Sequence, residues 1–124
     1  MRPASPISKE EIRSLLENIL QASQKILAYT SGMSKEEFLK DDSIINAVVR
    51  NFEIIREAAS QVPEDFRILR REVEWRRMIG FRDRVEHEQS GIDKEIAWRI
   101  KEENIFELIE FIQQAMDDLN KQPG

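Results

Sequence analysis

Ser8-Lys9-Glu10-Glu11-Ile12-Arg13-Ser14-Leu15-Leu16-Glu17-Asn18-Ile19-Leu20 holds a helix start and the beginning of a buried face. A Ser followed three residues later by Glu is a capping box. The hydroxyl and the carboxylate each satisfy a backbone N–H that the first turn leaves without a partner. From Ile12 onward the apolar positions, with Leu15, Leu16, Ile19, Leu20, Ser23, Ile26 and Leu27, recur at about 3.6 residues, the period of an α-helix. Gly32 is expected to close this helix in the left-handed conformation.

The same grammar continues along the chain. Ser34-Lys35-Glu36-Glu37 is a second capping box and opens a short turn through Leu39. Asp41 or Asp42 caps a helix whose apolar face is Ile44, Ile45, Val48, Val49, Phe52, Ile55, Ala58 and Ala59, and Pro63 stops it. Residues 64–71 read as one or two turns bearing Phe66 and Leu69. A third main helix starts at Trp75, runs to about His87 and breaks around Ser90-Gly91. Asp93 caps the last long helix, whose stripe includes Ile96, Ile100, Ile105, Leu108, Ile112 and Leu119. No six-residue window alternates polar and apolar in the manner of a half-buried strand. The fold class that follows is all-α: an antiparallel four-helix bundle with short extra helical turns.

Composition narrows the chemistry. The chain has 124 residues, 19 basic and 24 acidic, for a formal net charge of 19 − 24 = −5. This length predicts one domain over residues 8–120, with 1–7 and 121–124 as flexible ends. There is no cysteine, which excludes disulfides, thiolate catalysis and zinc sites built on sulfur. A single histidine excludes a multi-histidine metal cluster within one chain. No cofactor is expected. No apolar run approaches the ~20 residues of a membrane span, and the opening residues lack the apolar core of a signal peptide. The cytoplasm is the expected compartment.

Charge is unevenly placed. Between Arg67 and Arg84 lie seven arginines (67, 70, 71, 76, 77, 82, 84) and three acids (Glu72, Glu74, Asp83), giving 7 − 3 = +4. The planar guanidinium fork suits phosphate oxygens better than an ammonium does. The composition leaves two readings open: a phosphate-binding strip, or a solvated face paired with the acids of the C-terminal helix. His87 presents a similar choice. A helix through His87 would put Asp83, four residues back, on the same face to hold one ring nitrogen and raise the imidazole pKa. Otherwise the imidazole simply favours the helix dipole. Arg82 and His87 would diverge by about 140° on a regular helix, at 100° per residue, so a shared ligand would need two copies of the helix about a two-fold axis. Gly80 would then permit close approach of another helix or of its dimer mate.

Four segments in order carry a family resemblance. They are Ile26-Leu27-Ala28-Tyr29-Thr30 with Gly32-Met33-Ser34 and Phe38; Arg50-Asn51-Phe52-Glu53-Ile54-Ile55-Arg56-Glu57-Ala58; Trp75-Arg76-Arg77-Met78-Ile79-Gly80-Phe81-Arg82-Asp83 leading to His87 in the pattern Arg, four residues, His; and Gly91, Asp93 and Trp98. Over roughly residues 9–112 the chain resembles the HepT-like branch of the HEPN superfamily.

The resemblance implies an endoribonuclease toxin of a toxin–antitoxin pair, metal-independent and active as a homodimer through the third-helix region. A minimal nucleotidyltransferase antitoxin would be its partner and RNA its substrate. By position Arg82 and His87 are the implied catalytic pair. Asp83 stands where the family usually has Asn or another polar residue, and is the implied orienting group. Arg76, Arg77 and Arg84 would hold the RNA backbone. The family motif continues His-x-Tyr, the tyrosine accepting AMP from the nucleotidyltransferase. Here that position is Gln89, which has no phenol. The alternative is therefore a catalytically impaired binding module that docks a separate nucleotidyltransferase.

Overall fold

The computed structural model describes residues 7–87 and 91–121, with the backbone alone for His87. Three long helical stretches form the frame: α1 (Lys9–Tyr29), α3 (Asp42–Gln61) and the pair α7 (Lys94–Glu103) and α8 (Ile105–Lys121). Between them lie α2 (Lys35–Leu39), α4 (Glu64–Ile68), α5 (Glu72–Ile79) and α6 (Phe81–Val85). A two-residue antiparallel ladder, β1 (Glu86–His87) with β2 (Gly91–Ile92), follows α6, pairing Glu86 with Ile92 and His87 with Gly91. The all-α bundle expected from the sequence is the fold observed.

Both capping boxes form. The Ser8 and Ser34 hydroxyls accept from the N–H groups of Glu11 and Glu37, and those carboxylates accept from Ser8 and Ser34 N–H in return. Asp41 and Asp93 cap α3 and α7 through their Oδ1 atoms. Gly32 is left-handed, φ +75°, two residues beyond the Thr30 cap of α1.

α1 packs along α3 and α8, and α3 carries α5 and α6 on its other side. Leu16, Ile19, Ile45, Phe52, Ile55 and Ile112 are fully buried where these faces meet. Each contributes about 1.5–3 kcal/mol by leaving water. Aromatic pairs fix the shorter elements. Phe38 meets Trp98 at 5.2 Å between ring centroids, joining α2 to α7. Trp75 stands edge-on to Phe66 at 6.4 Å and to Phe111 at 5.4 Å, tying α5 to α4 and α8. Phe81 packs on Phe52 at 5.6 Å, and this contact sets α6 against the middle of α3.

Three features differ from the sequence expectation. The third main helix does not run to His87. It breaks at Gly80, which ends α5 and starts α6, and it stops at Val85. Glu86 is extended, φ −105° and ψ 121°, and the Asp93 N–H takes the Val85 carbonyl at 2.6 Å. The chain thus leaves the helix after Val85 to pair with β2, where Gly91 takes φ +77°. The last helix is also interrupted, at Asn104. Finally, Gly80 does not admit another helix within this chain. A Cβ there would meet only the carbonyls of Arg76 and Arg77 in its own preceding turn, at 3.4 and 3.6 Å.

Candidate functional site

The Phe52–Phe81 contact places the neighbouring residues of α3 and α6 side by side. Glu53 follows Phe52, and Arg82 follows Phe81. Arg82 Nε lies 2.8 Å from Glu53 Oε1, and Arg82 Nη2 lies 2.6 Å from Glu86 Oε1. The guanidinium is about one-third exposed. Glu53 Oε1 is closed off from solvent and takes no aligned hydrogen bond among the described residues. Its compensation is therefore the charge of Arg82, an ion pair rather than a directed N–H···O bond. Its other oxygen, Oε2, is 3.6 Å from Arg56 Nη1.

The remaining arginines behave differently. Arg67 donates to Glu72 from Nη2 at 2.6 Å and from Nε at 3.2 Å, and this fork holds the Glu72 carboxyl below its ordinary range. Arg76 lies 3.5 Å from the same carboxylate, and Arg71 and Arg77 both reach Glu74, at 3.3 and 3.0 Å. Arg70 stacks 4.1 Å from the Phe66 ring centroid and meets Asp118 at 3.5 Å. The expected pairing with the C-terminal helix is thus seen at Arg70, while most of the strip is neutralised by the two glutamates inside it.

Arg76, Arg77 and Arg84 are exposed, as is Asp83. Arg77 lines a groove of about 520 Å³ between the α4–α5 elbow and α8, with Leu69, Arg71, Glu110 and Phe111 among its walls. Arg82 does not line that groove.

His87 has its backbone in β1, opposite Gly91, and its imidazole lies outside the described residues. The helical premise that put Asp83 and His87 on one face does not hold, because α6 ends at Val85. The 140° divergence of Arg82 and His87 falls with it. Gln89 also lies outside the described residues.

Two acids gain a place that the motif did not assign them. Glu86 is four residues from Arg82, a spacing that marks helical ion pairs. Glu53 is distant in sequence from Arg82, and a carboxylate next to the apolar stripe of α3 does not by itself name that partner. Asn51, two residues before it, is buried, donates from Nδ2 to the Ala47 carbonyl at 2.8 Å and leaves Oδ1 without a partner among the described residues.

The profile of the family described as "Ribonuclease HepT-like" matches residues 19–115. A Methanocaldococcus jannaschii protein named "Putative RNase MJ0127" is 35% identical over 111 residues, covering 90% of this chain and 92% of that one. A Thermococcus cleftensis protein named "Probable ribonuclease HepT" is 36% identical over 97 residues, covering 78% of this chain and 88% of its own. No solved structure matches. The chain belongs to the HepT-like family of the HEPN superfamily. Among the described residues no helix is long and apolar enough to cross a membrane.

Proposed function

We propose that this protein is a ribonuclease toxin of a HepT-type toxin–antitoxin pair and cleaves RNA without a metal ion. On this reading residues 8–120 work as one domain, and two copies form the active unit in the cytoplasm. The observation that carries it is Arg82. A part-exposed guanidinium is held in the first turn of α6, on the five-residue helix that leads into the short extended segment carrying His87. Family membership supplies the expectation that this pair works on RNA.

The chemistry follows from what the two groups can do. The ribose 2′-OH gives its proton to a neutral His87 and its oxygen attacks the adjacent phosphorus. The bond from phosphorus to the 5′-oxygen breaks, and that oxygen takes a proton from a second imidazole. The products are a 2′,3′-cyclic phosphate and a 5′-hydroxyl. Arg82 offsets charge that builds on the non-bridging oxygens. One His87 cannot serve as base and acid in the same step, so a homodimer with two motif segments in one cleft supplies both. Arg76, Arg77 and Arg84 hold the backbone, and Asp83 takes the orienting role on the strength of the family resemblance rather than of a helical face shared with His87.

The purified protein, incubated with RNA in EDTA, should yield fragments ending in cyclic phosphate. His87→Ala and Arg82→Ala should each slow cleavage by about 100-fold or more. Equal cleavage by wild type and both variants would sink the proposal.

One observation favours the second reading, a catalytically impaired module that docks a separate nucleotidyltransferase. Arg82 already has carboxylates on two of its nitrogens, and Gln89 replaces the AMP-accepting tyrosine. Co-purification with the neighbouring nucleotidyltransferase, and no cleavage by the freed protein, is the outcome that reading requires.

A further inference from the structure

We infer that Glu53 and Glu86 divide the Arg82 guanidinium between them: Glu53 positions it, and Glu86 occupies the seat a phosphodiester would take. The inference rests on reading Arg82 as the phosphate-binding group of the proposed site.

The contacts are unequal in kind. Nε and Nη2 form the side edge of a guanidinium, and Nη1 and Nη2 form its end. Here the side edge is split, with Nε at Glu53 and Nη2 at Glu86. Glu53 belongs to the middle of α3, a helix of 20 residues; one of its oxygens is shielded from solvent, and Arg56 lies near the other. It has little freedom to leave. Glu86 is the residue at which the chain departs from α6, in an extended conformation with its side chain 43% exposed. Swinging it into solvent breaks one ion pair and disturbs no buried group. Nη2 is then released while Nε stays on Glu53. The freed end, Nη1 with Nη2, is the fork that fits two oxygens of a phosphate. A carboxylate that must yield to a phosphate weakens binding twice, by competing for the guanidinium and by repelling the incoming charge.

Glu53 is thus a positioning residue, acting through Arg82 and not on RNA. Glu86 is an internal surrogate for the substrate anion. It sets a threshold that a single phosphate passes poorly and a polyanion anchored at several points passes well.

The test uses the full chain and an RNA oligonucleotide carrying 2′-O-methyl groups, which binds but cannot be cleaved. Glu86→Gln should tighten its binding by about 5–10-fold, and in an Arg82→Gln background the same substitution should change it by less than about 2-fold. An equal gain in both backgrounds, or no RNA binding by any variant, overturns the surrogate role. For Glu53 the readout is the heteronuclear NOE of Arg82 Nε, which reports how firmly the guanidinium is held; it should fall clearly in Glu53→Gln, stay near wild type in Glu86→Gln and return part-way in Glu53→Asp. An unchanged value in Glu53→Gln overturns the positioning role. Cleavage of unmodified RNA, measured alongside, separates this inference from the one beneath it. Coupling between Glu86 and Arg82 with no cleavage by any variant retains the clamp and removes the ribonuclease. Cleavage that depends on Arg82 and His87 but ignores Glu86 retains the ribonuclease and removes the surrogate.

Discussion

Glu72 is the carboxylate whose titration the fold moves most clearly. The two N–H groups of Arg67 favour its charged form, and Arg76 adds to the effect. Its folded pKa lies below the unfolded value, near 4.5. The stability it contributes is therefore complete above that value and is lost as pH falls through the folded pKa. Glu72→Gln should melt below wild type at neutral pH, and the gap should close in acid. Melting curves across the carboxylate range check this, and a gap independent of pH would point to lost packing instead. Asn51 offers the opposite case. A buried carbonyl oxygen without a partner costs about 1–3 kcal/mol of desolvation. Asn51→Leu should therefore raise stability in denaturant titration by about 1 kcal/mol, provided the larger side chain packs.

At the scale of elements, the connection between α4 and α5 carries a backbone constraint. Arg71 caps α5 with φ 69° and ψ 77°, a left-handed conformation for a residue with a side chain. Such a conformation costs about 1–2 kcal/mol in a β-carbon-bearing residue and is easier for Asn. Arg71→Asn should be neutral or slightly stabilising, while Arg71→Val should cost about 1–2 kcal/mol. The Arg71 side chain is well exposed and its ion pair with Glu74 is weakly placed, so lost charge does not obscure the comparison. α5 and α6 begin without a side-chain cap, at residues the sequence pattern does not mark. The starts of α1, α2, α3 and α7 were legible, because a capping box or an Asp cap is a local bargain between a side chain and its own first turn. The end of α6 was not. Glu86 and His87 continue a helical pattern, and the chain leaves it because the Asp93 N–H takes the Val85 carbonyl while Ile92 and Gly91 pair with Glu86 and His87.

For the whole molecule, α6 is where stability and the candidate site depend on the same contact. Phe52 and Phe81 are both buried, and each carries the next residue, Glu53 or Arg82, into the clamp. Phe52→Ala should cost about 3–5 kcal/mol, with a coupling to Phe81→Ala of about 0.5–1.5 kcal/mol in a double-mutant cycle. On the proposed function, cleavage should also depend on assembly. Sedimentation should give twice the 14.6 kDa chain mass, and specific activity should fall on dilution into the monomer range. Activity constant across that range would exclude a site shared between protomers.

The sequence by itself determined the all-helical class, the Ser and Asp caps, the buried stripes and the family, since each rests on spacing within one or two turns or on residues in fixed order. It also places Glu86 next to His87 and Glu53 next to the apolar Phe52. Only the tertiary structure decided that these two acids meet at one guanidinium. That meeting depends on an aromatic contact between helices far apart in the chain, and no local period encodes which side chains such a contact brings together.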